Sequence, residues 1–139
     1  MMKIDGACHC GSITYEAIVD SGKVGICHCT DCQTLSGSAF RTFVLAARDD
    51  FRLLTGQPTL YVKTAQSGAQ RTQAFCPECG TPIYSAAPNE PRVYSIRAGT
   101  VRQRHALVPK SQIWCRSAQS WVMDLGLIER SDEQPPLRL

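Results

Sequence analysis

Seven of the eight cysteines of this chain stand in tight groups, and thiols grouped this closely can hold metal ions. Cys8 and Cys10 are separated by a single residue, as are Cys27 and Cys29. In an extended segment residues i and i+2 face the same side, so each pair can present two sulfurs to one ion while His9 or His28 points away. Phe75-Cys76-Pro77-Glu78-Cys79-Gly80-Thr81-Pro82 is a CxxC knuckle, whose glycine after the second thiol lets backbone amides turn toward sulfur. One CxC and the CxxC together make four ligands, the set of a closed tetrahedral structural site with Zn–S near ~2.3 Å. The remaining group, Cys27-His28-Cys29-Thr30-Asp31-Cys32, supplies three. Three protein ligands leave a position for water or substrate, which is the arrangement of a catalytic metal. Cys115, His28 or His105 would instead close this group into a second inert staple.

The same thiols could serve a disulfide scaffold if the chain were exported. The start MMKIDGACHC has no apolar stretch resembling a signal peptide, and reducing compartments disfavour disulfides, so the expectation is a cytoplasmic, metal-binding chain. The longest unbroken apolar run, Phe43 to Ala47, is far short of the ~20 residues that span a bilayer, so no membrane is expected. The formal charge of +3 becomes zero if seven thiolates (−7) bind two Zn²⁺ (+4), so it is no argument for nucleic acid. Among the fifteen basic residues only Lys3, Lys23, Lys63 and Lys110 are not arginine, the side chain suited to forked carboxylate pairing. Trp114 and Trp121 are expected to fill the core, and Cys115 to be a buried small hydrophobe.

A chain of 139 residues is one domain by length, and 43% apolar with 19% charged residues is the composition of a chain that folds. From Ser12 to Val19 the pattern alternates, with Ile13, Tyr15, Ala17 and Val19 on one face, the period of a half-buried strand. Further strands are predicted over Phe40–Ala47, Thr59–Lys63, Arg71–Phe75 and Arg92–Ala98, separated by turn residues at Arg48-Asp49-Asp50, Thr55-Gly56-Gln57-Pro58, Ser67-Gly68 and Pro88-Asn89-Glu90-Pro91. The one clear helix start is Thr30, with Gln33 as a capping-box partner and Gly37 as the stop, so Cys32 would lie in the first turn, where the helix dipole favours a thiolate. A weak helix is expected after Trp114. Residues 1–128 form the expected domain, and 129–139, with Asp132-Glu133-Gln134-Pro135-Pro136, a flexible tail.

With these residues in view the chain resembles the glutathione-dependent formaldehyde-activating enzyme family, which also includes centromere protein V. The resemblance rests on Gly6-Ala7-Cys8-His9-Cys10-Gly11-Ser12, Cys27-His28-Cys29-Thr30-Asp31-Cys32, Ser36-Gly37, Phe75 to Pro82, Ile113-Trp114 and Trp121, in order along most of the chain. It implies a mainly β fold, a Mss4-like β-tent of antiparallel sheets stapled by zinc with one or two short helices. It also implies two zinc ions per chain: a structural one on Cys8, Cys10, Cys76 and Cys79, and a catalytic one on Cys27, Cys29 and Cys32. The implied activity is that of a carbon–sulfur lyase joining or splitting glutathione and formaldehyde, with glutathione as the small-molecule partner and Arg41 as a cation for its carboxylates. The chain departs from relatives at Gln112-Ile113-Trp114-Cys115, with Gln where they often carry His and an added cysteine. The alternative is a zinc-stapled binding module without turnover, which a protein-closed second site would favour. A thiol redox protein ranks last, because a redox CxxC sits beside a βαβ pattern and none is present.

Overall fold

The alternation at Ile13–Val19 builds the inner layer of a two-sheet protein. In the computed structural model, which describes residues 1–137, a three-stranded sheet has the order β1 (Met2–Ala7), β2 (Thr14–Val19), β5 (Phe51–Thr55). A seven-stranded sheet has the order β10 (Ser111–Ile113), β3 (Val24–Cys27), β4 (Arg41–Ala47), β9 (Val93–Arg97), β8 (Pro82–Ala86), β7 (Gln70–Phe75), β6 (Thr59–Thr64). Tyr15, Ala17 and Val19 from one sheet and Val44, Ala46 and Ile96 from the other are buried in one core. Period-two burial on both sheets is what lets two amphipathic layers close on each other.

The five predicted strands are present as β2, β4, β6, β7 and β9, and five more join them. Of the additions, β1 alternates Lys3 and Asp5 with buried Ile4, β3 is merged with the cysteine motif, and β8 opens on Pro82. All pairings are antiparallel except β10 with β3, which run parallel. Parallel neighbours need a long crossover, and here 83 residues of chain separate Cys27 from Ser111 in number while Ser111 pairs with Gly25.

The helix α1 (Thr30–Ser36) stops where expected, with Gly37 in the left-handed region at φ 63°. Its start differs from the expectation. Cys29, not Thr30, is the N-cap, and its sulfur accepts the Cys32 N–H. Gln33 is no capping-box partner, because its side-chain amide donates to the carbonyls of His28 and Ser117. The weak helix after Trp114 is a single 3₁₀ turn, Cys115–Ser117. Cys115 and Trp121 are exposed rather than buried, since the chain beyond β10 runs over the surface and packs no second layer on them. Residues 129–137 are exposed and carry no helix or strand; the last two residues of the expected tail lie outside the described ones. No helix among the described residues is long and apolar enough to cross a membrane.

At Gly6, β1 lies tight against the Tyr15 hydroxyl and the Thr100 carbonyl. A Cβ on Gly6 would lie 2.3 Å from the Tyr15 hydroxyl oxygen and 2.6 Å from the Thr100 carbonyl oxygen, while that hydroxyl holds Thr100 Oγ1 at 2.6 Å. Gly6→Ala should therefore displace a fully buried ring and break its hydrogen bond. Overpacking and an unsatisfied hydroxyl each cost about 1–3 kcal/mol, so the melting temperature should fall by roughly 10 °C. A shift of only a degree or two in a calorimetric scan would show that the ring can move aside freely.

Candidate metal centres and the thiolate cavity

The four-cysteine group ties one sheet to the other. Cys8 and Cys10 lie in the turn between β1 and β2, and Cys76 and Cys79 in the knuckle between β7 and β8. The first pair is held by a turn rather than an extended segment: Cys8 N–H donates to Ile13 O and Gly11 N–H returns to Cys8 O. In the knuckle, Gly80 has φ 74°, its N–H donates to Cys76 O at 2.8 Å, and Cys76 N–H donates to Thr81 O at 2.9 Å. His9 N–H donates to Thr81 Oγ1, joining the two loops directly.

Within this group the four sulfurs lie within 4.8 Å of one another, with Cys8–Cys10 at 3.6 Å and Cys10–Cys76 at 3.8 Å. A tetrahedron with metal–sulfur bonds of ~2.3 Å has edges of about 3.8 Å, so the donor set fits zinc. Donors already point at the sulfurs: Ile13 N–H to Cys8 Sγ, and the Ser12 hydroxyl 3.2 Å from Cys10 Sγ and 3.3 Å from Cys76 Sγ. The Thr81 hydroxyl beside Cys79 Sγ brings that thiol down to about 5. Such donors favour thiolate, the form a metal binds.

The three-cysteine group is built from one strand end and one helix start. Cys27 ends β3, Cys29 caps α1, and Cys32 lies in its first turn, which brings the three sulfurs within 4.8 Å of one another. No fourth cysteine, histidine or carboxylate among the described residues joins them, so neither Cys115, His28 nor His105 closes the set. His28 turns to the other face of β3. It is buried, its Nε2 is 2.7 Å from Gln112 Oε1, and its ring stands edge-on to Phe40 in the wall of a separate cavity. The hydrogen bond between Cys27 and Cys32 brings the Cys32 thiol down to about 5 and pushes Cys27 up, with Cys29, Arg41 and Arg97 adding to the fall at Cys32.

These sulfurs open on a cavity of about 340 Å³. Leu35, Ile113 and Trp114 give it apolar walls, and Lys63, Arg71, Gln73 and Arg97 a polar side. That size and mixture suit a small ligand. Lys63 is paired with Asp31 at 2.7 Å. Arg41, the one substrate contact expected from the sequence, is next to the thiols but lines an adjoining apolar pocket with Leu35 and Tyr61. Arg97 and Gln73 were not singled out from sequence. The cross-strand register places Gln73 opposite Ser85 and Ser85 opposite Ser95, a polar row that continues to Arg97 on the same face of β9. The only sequence signal was a polar alternation, Ser95 and Arg97 against Tyr94 and Ile96. Burial pulls Arg97 down to about 9, with Arg41 beside it adding to the fall.

Fold and site thus define a two-sheet β protein with one four-thiol and one three-thiol cluster, each able to hold a metal ion. The chain belongs to the glutathione-dependent formaldehyde-activating enzyme family, whose profile matches residues 3–117. An uncharacterized lyase of Schizosaccharomyces pombe is 30% identical over 98 residues, which cover 70% of this chain and 68% of that protein. A crystal structure of a Rhodobacter sphaeroides protein superposes with a TM-score of 0.61 at 20% identity, covering 78% of this chain and 98% of the other, a likeness of fold. Zinc is the metal the family implies, and the sulfur-only donor sets fit it.

Proposed function

We propose that this chain is a zinc-dependent carbon–sulfur lyase that joins or splits a thiol, glutathione, and a small aldehyde such as formaldehyde. Cys8, Cys10, Cys76 and Cys79 hold a structural ion in this reading, and Cys27, Cys29 and Cys32 a catalytic one. The observation that carries it is the difference between the clusters: four sulfurs bridging two sheets, against three sulfurs facing a cavity with no fourth protein ligand among the described residues. Zinc with three thiolates supplies a soft centre that keeps a further thiol ionised and nucleophilic at neutral pH.

The chain's own residues do the rest. Cys29, by capping α1, and Cys32, in its first turn, are held by helix geometry, while β3 fixes Cys27. Leu35, Ile113 and Trp114 exclude water from one side of the reacting atoms. Arg71 is a half-buried cation for the carboxylates of glutathione, and Arg41 is set deeper, where it faces the thiols. In the forward direction the thiol loses its proton, its sulfur bonds to the carbonyl carbon, and the C=O π pair moves onto oxygen, which takes up a proton to give the S-hydroxymethyl product. No electron is gained or lost overall. In this reading the functional domain is 1–128 and 129–139 is a tail. Eight free thiols suit a reducing compartment such as the cytoplasm.

Cobalt substitution tests the reading. With Co²⁺ in both clusters, glutathione should raise thiolate-to-metal charge-transfer absorption by about one thiolate's worth, and S-methylglutathione should not. A spectrum indifferent to millimolar glutathione would sink the lyase assignment and leave a zinc-stapled binding module.

A further inference from the structure

We infer that Arg41 and Arg97 form a buried cation pair that makes the fourth ligand position of the three-thiol cluster selective for an anion, an inference that rests on reading that cluster as an open metal site. Arg41 on β4 and Arg97 on β9 are 5% and 8% exposed, the two buried arginines among the described residues. Neither has a carboxylate partner, since the ion pairs of the described residues engage other cations. Both share one neutral acceptor: Gln73 Oε1 takes Arg41 Nη1 at 3.4 Å and Arg97 Nη2 at 2.8 Å, and Arg97 Nη1 also donates to the Ser95 hydroxyl at 3.5 Å. Arg41 Nη2 and Arg97 Nε are buried with no partner at all. Arg97 and Gln73 line the same cavity as Cys27, Cys29 and Cys32, which places the pair beside the thiol cluster.

Charge then decides the fourth ligand. Three thiolates (−3) and a divalent ion (+2) leave −1, the two buried guanidiniums (+2) turn that into +1, and half-buried Arg71 on the cavity wall adds to the excess, while Lys63 is neutralised by Asp31. A neutral ligand such as water leaves the excess charge in a poorly solvated place, whereas an anion offsets it. The four-thiol cluster has no such pair; it meets solvent through exposed Cys10, where its charge is screened. The two clusters therefore differ in the charge wanted at the ion as well as in ligand count. A substrate thiolate meets that demand.

The test uses full-length protein loaded with Co²⁺ and reads ligand-induced changes in its visible spectrum on titration with thiocyanate, an anion, and imidazole, a neutral ligand. Arg41→Gln and Arg97→Gln should each weaken thiocyanate at least about tenfold while leaving imidazole unchanged, and Arg97→Lys should retain most of the thiocyanate affinity. Gln73→Glu keeps the side-chain volume and gives both guanidiniums a counter-charge, so it should also weaken thiocyanate about tenfold, and it decides the matter if the arginine variants do not fold. Glutamine and glutamate variants with wild-type thiocyanate affinity, or with equal losses for imidazole, overturn the inference. Wild-type protein that takes thiocyanate but ignores glutathione removes the lyase reading and leaves the selectivity standing. Protein that takes glutathione equally well with and without Arg97 does the reverse, and a centre blind to both anions overturns both.

Discussion

Cys76→Ser, made with ample zinc, should be unfolded or aggregated, whereas Cys29→Ser should remain folded with a melting temperature close to wild type. The difference follows from what each cluster holds together. Cys76 is fully buried, and its group joins the hairpin β1–β2 to the hairpin β7–β8, elements of different sheets that share no backbone ladder. Structural zinc in four-thiol sites contributes apparent affinities of ~10–16 kcal/mol, comparable to the whole ~5–15 kcal/mol stability of a domain, so losing the site removes the margin for folding. The three-thiol group joins only β3 to the start of α1, neighbours in sequence already fixed by the β3–β4 ladder. Serine at position 29 is itself a preferred N-cap, so α1 keeps its first-turn hydrogen bond. Circular dichroism, size-exclusion chromatography and thermal melts read the outcome. Equal collapse of both variants would make the second cluster structural too, and a folded, stable Cys76→Ser would show that the sheets hold without the staple.

The largest expected effect on activity is at Cys32. Cys32→Ala should reduce formation of S-hydroxymethylglutathione to the uncatalysed rate, a loss on the order of 10³-fold if the metal supplies the several kcal/mol usual for such sites. Native mass spectrometry should show two bound ions in wild type and one in the variant, with the melting temperature within a few degrees. Cys32 is part-buried in the first turn of a helix that Cys29 caps, and alanine is well tolerated there. Retained turnover with one ion lost would move the chemistry away from this cluster; two ions retained would show that Cys32 is not a needed ligand.

Residue types and short spacings carried much of this protein in the linear sequence. The division of seven thiols into four and three follows from one CxxC and two CxC pairs, one of them extended by Cys32, and those same groups meet in space. Local rules also sufficed for the presence of α1 and its stop at Gly37, though not for its cap at Cys29, and for the buried face Ile13, Tyr15, Ala17 and Val19, because helix stops and period-two burial act within a few residues. Tertiary structure decided what depends on register between distant strands. That the four-thiol cluster bridges separate sheets, that His28 faces Gln112 rather than the thiols, and that Trp121 is exposed are set by packing between segments far apart in the chain. The Arg41–Gln73–Arg97 group is the clearest case. Its members lie on β4, β7 and β9, only Arg41 was marked out by the sequence, and only the order β4-β9-β8-β7 puts two cations on one acceptor beside the thiol cavity. Ligand count is a local property of a sequence, whereas the charge around an ion is summed over every strand that folds against it.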